Sequence, residues 1–464
     1  MNKYLKFIIF LVLTLLVVLN VMLYYFKLNT NDIYVIFYSY NLYSVITFAL
    51  LFIAIVKVGG PFSIHSIASF FAFLFLYGRS LLYIFEPDYS FFESELLLYE
   101  NIGYVYMFEA LVITNIFIYS INIVYILFGK PDNIRLFINK NSIKTEKILF
   151  NTVLVFGFLY AVKLFLEFKA IINIGYTAIY AGGLQDVNYY SLLIKYSHVF
   201  FSSFFSYYLI VINNRRKFLI IASIFLVVSF LDSLKGARIT LILPIFFILW
   251  YYNSVYKITI NYKTALKGSV ALLLLVLFSI YSSSKRNDLE VELRTNIIKS
   301  AILETGSTLQ VMGRYIKNKD QLNADYPFFL EPILYPYFYV RHFSVLTKGQ
   351  SEEMLECRNS LNHQFTAFID KEAYLVGRGV GSSSPAEFYQ YGLPPLIVLS
   401  LAYGLILIFF YSQLNNKILI FLSTSLVLHV FFIARETPFP NFIGIIKGVF
   451  VYYVLKALFS IKLN

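Results

Sequence analysis

The chain has 464 residues, 59% of them hydrophobic and 14% charged, with a mean hydropathy of +0.70. Water-facing positions need far more charge than that, so a soluble globular protein is excluded and the class is an all-α polytopic membrane protein. A formal charge of +12 would suggest nucleic acid in a soluble domain. In a membrane protein it reads as Lys and Arg held on the cytoplasmic side, and no nucleic-acid partner is expected.

Runs of about 17–25 apolar residues are long enough to cross the hydrocarbon layer. The first, FIIFLVLTLLVVLNVMLYYF, follows Lys3 and Lys6 and lacks a small-residue cleavage site, so it reads as a retained helix rather than a signal peptide. Twelve spans are predicted, at 5–26, 33–56, 63–85, 103–129, 148–168, 190–212, 218–233, 238–255, 264–283, 393–412, 417–434 and 442–461. The seventh and eighth are the weakest, because SLKGAR interrupts an otherwise continuous stretch. No internal repeat or low-complexity tract is visible.

Orientation follows from the connecting segments. KPDNIRLFINKNSIKTEK (130–147), NNRRK (213–217) and YKITINYKTALK (256–267) are basic, and alternate counting puts all three on one face. EPDYSFFESELLLYE (86–100), on the opposite face, has five acidic residues and no Lys or Arg. Both termini are then cytoplasmic, and the chain divides into 1–283 (spans one to nine), a large periplasmic loop 284–391, and 392–464 (spans ten to twelve). The loop carries 25 charged residues in 108, against 39 in the remaining 356, so it is an extramembrane element rather than a further span. It is rich in Tyr and Pro (DYPFFLEPILYPYFYV), and TNIIKSAILE reads as a short amphipathic helix.

Several cations sit at the outer level. Lys235 and Arg238 in LDSLKGARIT run against the positive-inside trend. A charge near hydrocarbon is usually paired, snorkelling or holding an anion; pairing with Asp232 and binding an anionic substrate group are both open for Arg238. Arg79 in LYGRSLLYIFEP, Arg435 in ARETPFPN and Lys447 reach similar positions. Within the loop, Arg286, Arg314, Arg341 and Arg378 are the guanidinium candidates, a group whose planar fork pairs with phosphate and keeps its charge when desolvated. His342 and His363 are the only outside histidines, whereas His65, His198 and His429 fall in spans and read as structural. The single cysteine, Cys357, excludes an internal disulfide. No HExxH, CxxC, Walker or Rossmann spacing occurs, so neither a bound metal nor a nucleotide cofactor is expected.

The stretch RGVGSSSPAEFYQYG (378–392) leads directly into the tenth span. Ser384-Pro385-Ala386-Glu387 reads as a capping box with proline at the first helical position. Gly379 and Gly381 just upstream would free backbone amides at the same helix start, where an anion is stabilised. Both roles are open.

With these residues in view, the chain resembles the O-antigen polymerase family (Wzy, oligosaccharide repeat-unit polymerases). The likeness lies in the span pattern with one long periplasmic loop late in the chain. It extends to INIGYTAIYAGG (172–183), SLKGARIT (233–240), ILETGSTLQ (302–310) and GVGSSSPAEFYQYG (379–392). A spacing of some members, Arg followed eleven residues later by Gly in both periplasmic loops, is absent: Arg341 and Arg378 are followed there by Glu352 and Tyr389.

The resemblance implies a GT-C-like glycosyltransferase in the bacterial inner membrane, active at its periplasmic face. Its substrate would be undecaprenyl-pyrophosphate-linked oligosaccharide, moved without metal or nucleotide. Membrane lipids, a chain-length regulator (polysaccharide co-polymerase) and a flippase of the same pathway would be its partners. Lys235, Arg238, Arg286, Arg314, Arg341, Arg378 and Arg435 are then the pyrophosphate-binding candidates. Glu304, His342, His363 and Glu387 are the candidates for the base that takes the attacking hydroxyl's proton. Tyr326, Tyr335 and Tyr337 offer ring faces to sugars.

An O-antigen ligase shares donor and fold and differs in its acceptor. A lipid-oligosaccharide flippase or solute transporter would instead show paired repeats and polar residues at mid-membrane; no repeat is visible here, and the charge clusters lie at the outer boundary.

Two predictions follow from the sequence. A cysteine placed at Asn323 should label from the periplasm and one at Asn141 only after permeabilisation; the reverse pattern would overturn the topology. If Arg238 grips a pyrophosphate with its fork, Arg238→Lys should fail almost as badly as Arg238→Ala, since an ammonium keeps the charge and loses the paired bonds. A charge-assisted bond of about 1.5–3 kcal/mol corresponds to a loss of roughly ten- to hundred-fold. Polymer formation by purified variants measures it, and near-wild-type activity of the Lys variant returns Arg238 to a snorkelling role.

Overall fold

The computed structural model describes residues 2–26, 33–92, 102–132, 134, 142–174, 187–212, 214–235, 239–257, 299, 302–303, 305–322, 324–346 and 350–461. Among them no strand occurs. The first part holds α1 (Lys3–Tyr25), α2 (Ile33–Gly59), α3 (Ile64–Phe85), α4 (Tyr104–Phe128), α5 (Ser142–Ile174), α6 (Leu192–Lys195), α7 (Ser197–Val211), α8 (Arg215–Ser233) and α9 (Ile239–Tyr256). Short helices follow: α10 (Thr308–Asn318), α11 (Glu331–Arg341), α12 (Phe343–Leu346), α13 (Glu352–Cys357), α14 (Leu361–Ile369), α15 (Lys371–Leu375) and α16 (Ser384–Tyr389). The chain closes with α17 (Leu393–Ser412), α18 (Lys417–Phe432) and α19 (Phe442–Ile461).

Nine described helices are long and apolar enough to cross a bilayer: α1 to α5, α9 and α17 to α19. The predicted span 190–212 is broken at Tyr196 into α6 and α7, and α7 alone has 15 residues. The span predicted at 218–233 is the helix α8, with Arg215, Arg216 and Lys217 at one end and Asp232 at the other, which shortens its apolar middle. The span predicted at 264–283, and most of TNIIKSAILE, lie outside the described residues.

The described chain divides into two compact units. The first comprises Met1–Asp132, Ile298–Ser412 and His429–Pro440. Its central element is α4, which packs against α1, α2, α10 and α17. Most of α4 is apolar and buried, but Asn115 sits at its middle. A side-chain amide in a water-free interior must find partners. Asn115 accepts from the Tyr77 hydroxyl of α3 at 2.7 Å and donates to Tyr40 (2.8 Å) and Ser44 (2.9 Å) of α2. Tyr40 in turn donates to Asn20 of α1. Four helices are thus joined through one amide. Nearer the other end, His65 stacks on Tyr125 and pairs with Asn122 at 2.8 Å.

Two ends of this unit can be told apart. At one, Lys6 at the start of α1 donates to the Gly129 carbonyl after α4, and Asp132 accepts from the Ile64 amide that opens α3. At the other, Tyr38 of α2 reaches the Ile84 carbonyl closing α3, and Tyr24 near the end of α1 meets Tyr389, just before α17. At that second end α10 packs against α3 and α4, and α16 against α4.

The second unit comprises Asn133–Ile297, Gln413–Leu428 and Asn441–Asn464. Within it α5 packs on α7 and α8, and α8 on α9. Phe205 and Phe225 stack at 4.5 Å, and Tyr207 stands against Phe421 and Tyr452. Buried Glu146 pairs with Lys217 at 3.6 Å, and the other buried charges form a knot around Glu167. Glu167 takes the ammonium of Lys235 (3.1 Å), lies 3.5 Å from Lys163 and accepts from Tyr189 (3.0 Å). Lys235 also holds Asp232, and Lys163 approaches His198 Nδ1 at 2.8 Å.

Candidate functional site

The segment at the second end of the first unit is anchored at two places, the last two turns of α3 and the turn that ends α18, each carrying an arginine. At α3, Arg79 is 9% exposed and donates from Nε to the Leu303 carbonyl at 2.8 Å. The chain can lie this close only because Gly306 has no side chain: a Cβ there would stand 2.9 Å from Arg79 Cγ and 3.0 Å from the Ile302 carbonyl. Part of the ILETG stretch therefore lies on the Gly78–Arg79 step of α3. From it α10 runs on, burying Arg314 at 4% exposure.

The second anchor is the 3₁₀ turn Ile433–Arg435 that ends α18. Ser384 donates to both the Ile433 carbonyl (2.7 Å) and the Glu436 carbonyl (2.8 Å). The approach is made by Gly381, whose φ of 81° is a left-handed conformation that suits glycine, and a Cβ there would lie 4.0 Å from Arg435 Nε. The Arg435 guanidinium stands 6.0 Å over the Phe75 ring, one turn before Arg79 on α3. Glycine loop, arginine and aromatic face thus meet at one place.

The expected capping box does not form. Ser383, not Ser384, is the N-cap and makes no side-chain cap bond. The Ser384 hydroxyl is spent on the Ile433 and Glu436 carbonyls, and Glu387 turns inward instead of back to the cap. Nor is this six-residue helix long enough to present an anion site at its start.

Glu387 is fully buried. Ser382 Oγ donates to its Oε1 at 2.5 Å, and Oε2 has no hydrogen-bond partner. Burial pushes the carboxyl up to about 8; the Ser382 bond opposes this, and the negative charges of Glu331 and Glu436 add to it. Glu331 is itself buried and ion-paired to Arg358, whose guanidinium lies 4.7 Å over the Tyr335 ring. His363 lies near the same arginine, with Nδ1 2.9 Å from the Tyr374 hydroxyl. Burial and Arg358 pull its imidazole down to about 3, so it is neutral at ordinary pH. At the far end of α16, Tyr389 donates to Glu109 of α4 (2.9 Å), and Lys319 stands 4.5 Å over its ring.

Of the residues singled out in the sequence, Glu387, Arg435, His363, Tyr326 and Tyr335 belong to this connected region. Tyr326 stacks on Phe338 and its carbonyl accepts from Asn359. Arg341 and Tyr337 are exposed and bonded to each other (2.8 Å). His342 follows them at the end of α11, half-buried, and Arg378 is exposed. Lys235 lies in the second unit, held by two carboxylates. Arg238, Arg286 and Glu304 lie outside the described residues.

Sequence reading missed the Glu331–Arg358 pair, Ser382, and the Glu109–Tyr389–Lys319 set. The Glu331–Arg358 and Glu109–Tyr389 partners are 27 and 280 positions apart, with no local pattern to link them, and Ser382 lies five positions before Glu387.

Long apolar helices, and a helical segment packed on one end of the first unit, define a multi-pass membrane protein. The model of the family O-antigen polysaccharide polymerase Wzy matches residues 6–462, nearly the whole chain, and the chain belongs to that family. Comparison with curated proteins and with solved structures finds no match. Membership carries the general role: polymerisation of O-antigen polysaccharide, a glycosyltransferase-type activity on lipid-linked oligosaccharide.

The buried carboxyl gives a signed pH prediction. With its pKa raised from 4.5 to about 8, folded Glu387 holds a proton that the unfolded chain has already released. Stability therefore falls as pH rises through this window, by on the order of a few kcal/mol in full. Glu387→Gln keeps a neutral side chain of the same shape. Its apparent melting temperature in detergent should match wild type near pH 5 and exceed it at pH 8.5. Parallel pH profiles for the two proteins would rule out a buried, protonated Glu387.

Proposed function

We propose that this polymerase joins undecaprenyl-pyrophosphate-linked repeat units at the periplasmic face of the inner membrane. In each cycle it moves the growing chain from its lipid carrier onto a newly delivered repeat. The observation that carries the reading is the docking of the 379–389 stretch on the Ile433–Arg435 turn, with Gly381 beside the Arg435 guanidinium. A lipid pyrophosphate needs a cation at the bilayer boundary, and a guanidinium next to a bare glycine backbone leaves room for one.

A hydroxyl of the incoming repeat attacks the anomeric carbon of the chain's first sugar. The bond from that carbon to the pyrophosphate oxygen breaks, and the electron pair leaves with undecaprenyl pyrophosphate. Arg435, with Arg314 buried behind the same segment, stabilises the charge that builds on the leaving group. Arg238 and Arg286 remain proposed ligands of the same group; Arg341 and Arg378 serve from the exposed side.

The hydroxyl proton passes to a base. Glu387, buried and protonated, and His363, whose imidazole burial and Arg358 make reluctant to take a proton, are assigned positioning roles, which leaves Glu304 and His342 as the bases. Tyr326, Tyr335 and Tyr337 line the path of the sugars. A flippase supplies the repeats, and a chain-length regulator acts on the product. The departing pyrophosphate drives the step without metal or nucleotide.

A deletion strain tests the reading. A polymerase is needed only from the second repeat onward, so loss should leave lipid A core carrying one repeat unit on a gel. Complete absence of capped core would point to a ligase or a flippase.

A further inference from the structure

An apolar groove of ≈ 430 Å³ opens where the outer segment meets α17, within the first unit. Pro327, Phe329, Tyr391, Pro394, Pro395 and Val398 form its wall, and the surface it presents is wholly apolar. Its volume lies in the range of small-ligand sites, about 300–1,000 Å³. Val398, one turn into α17, is 63% exposed, and Leu405 and Phe409 continue that exposed row along the helix. The groove therefore opens toward the hydrocarbon side of a bilayer-spanning helix.

Beyond Tyr391 the character changes. Tyr391 also lines a polar cleft of ≈ 330 Å³ with Lys319, Asp320, Gln390 and Gly392. Lys319 is held over the Tyr389 ring, with its ammonium 3.3 Å from the Tyr389 hydroxyl. Gly392 turns the chain here with a φ of 94°, and a Cβ at this position would meet nothing within 4 Å. Gln390 fixes the opposite wall by accepting from the Phe328 amide at 2.8 Å.

We propose that groove and cleft form one binding site for an isoprenoid lipid phosphate: the polyprenyl chain lies along Phe329, Pro395 and Val398, and its anionic end faces Lys319. The site rests on the reading above that the substrates are polyprenyl-linked, and it would hold one of the two. A chain alone would be served by the lipid face of any span. What singles out this place is the junction, a dry groove and a polar cleft that carries the Lys319 ammonium beside Asp320, the two sharing one tyrosine, which matches a molecule that is apolar along its length and charged at one end.

The experiment uses the full chain in phosphatidylethanolamine–phosphatidylglycerol nanodiscs and an undecaprenyl pyrophosphate bearing a diazirine in an isoprene unit near the head. Illumination should place adducts on the peptides carrying Pro327–Phe329 and Tyr391–Val398. Unlabelled undecaprenyl pyrophosphate should chase them, and extra phosphatidylglycerol should not. Val398→Trp fills the groove from an exposed position and should weaken labelling about tenfold, the effect of displacing roughly two methylene groups. Phe329→Ala removes one wall and reads the same loss if the Trp variant expresses poorly.

Adducts elsewhere, equal chase by phosphatidylglycerol, or labelling unchanged in both variants would overturn the site. The two readings fail separately. Labelling as expected in a protein that makes no polymer sinks the proposed reaction and leaves the groove. Polymer formation with labelling outside these peptides does the reverse.

Discussion

The absence of water around the spanning helices governs the rest of the structure. Apolar packing does little to distinguish one neighbour from another when lipid is equally apolar, so polar side chains fix which helices meet. Asn115 does this in the first unit, bonding Tyr77, Tyr40 and Ser44, and through Tyr40 reaching Asn20. Each group in the set satisfies another that would otherwise be stranded. With α1 to α4 set by this amide, the ends of α1 and α3 and the starts of α2 and α4 come to one level. The segment of short helices at that level has a floor to rest on because of it.

That segment has few long elements of its own and depends on what it touches. Its short helices are locally capped: Ser351, Ser360 and Asp370 each accept from a backbone amide in the first turn of the helix they open. Caps decide where a helix begins, not where it lies. Position comes from carbonyl contacts at two helix termini, Arg79 to Leu303 and Ser384 to Ile433 and Glu436, and both demand a glycine nearby. The polar stretches that resemble the family, ILETG and GVGSSSP, are the pieces that make these contacts. Their composition is therefore accounted for by docking as well as by chemistry.

The spans were legible because a long apolar run has few alternatives, and nine appear as described helices. Reading failed where a local rule met a tertiary competitor. Ser384-Pro385-Ala386-Glu387 satisfies every local requirement of a capping box, yet two carbonyls on another helix terminus took its hydroxyl. Arg358 was one loop cation among twelve, and nothing in its neighbours points to Glu331. The charge of Lys235 was legible as an anomaly, and its partner Glu167 was not: it lies in a predicted span, where the apolar average hid it. Pairing of Asp232 was anticipated, but with Arg238; the described partner is Lys235.

Charge at this end of the first unit depends on which carboxyls are silent. Glu331 is matched by Arg358, and Glu387 is neutral while its proton stays on. An ionised Glu387 would place a negative charge in a dry interior five residues behind Ser382, on the loop whose glycine faces Arg435. In such surroundings charges interact far more strongly than in water, so that anion would compete with any phosphate drawn to the same arginine. Burying the carboxyl removes the competitor and keeps a hydrogen-bonding group to hold the loop. The same burial that costs stability as pH rises thus keeps this loop's own carboxyl from opposing the anion binding proposed at Arg435, where burial pushes the neighbouring Glu436 carboxyl up and the arginine's charge opposes that rise.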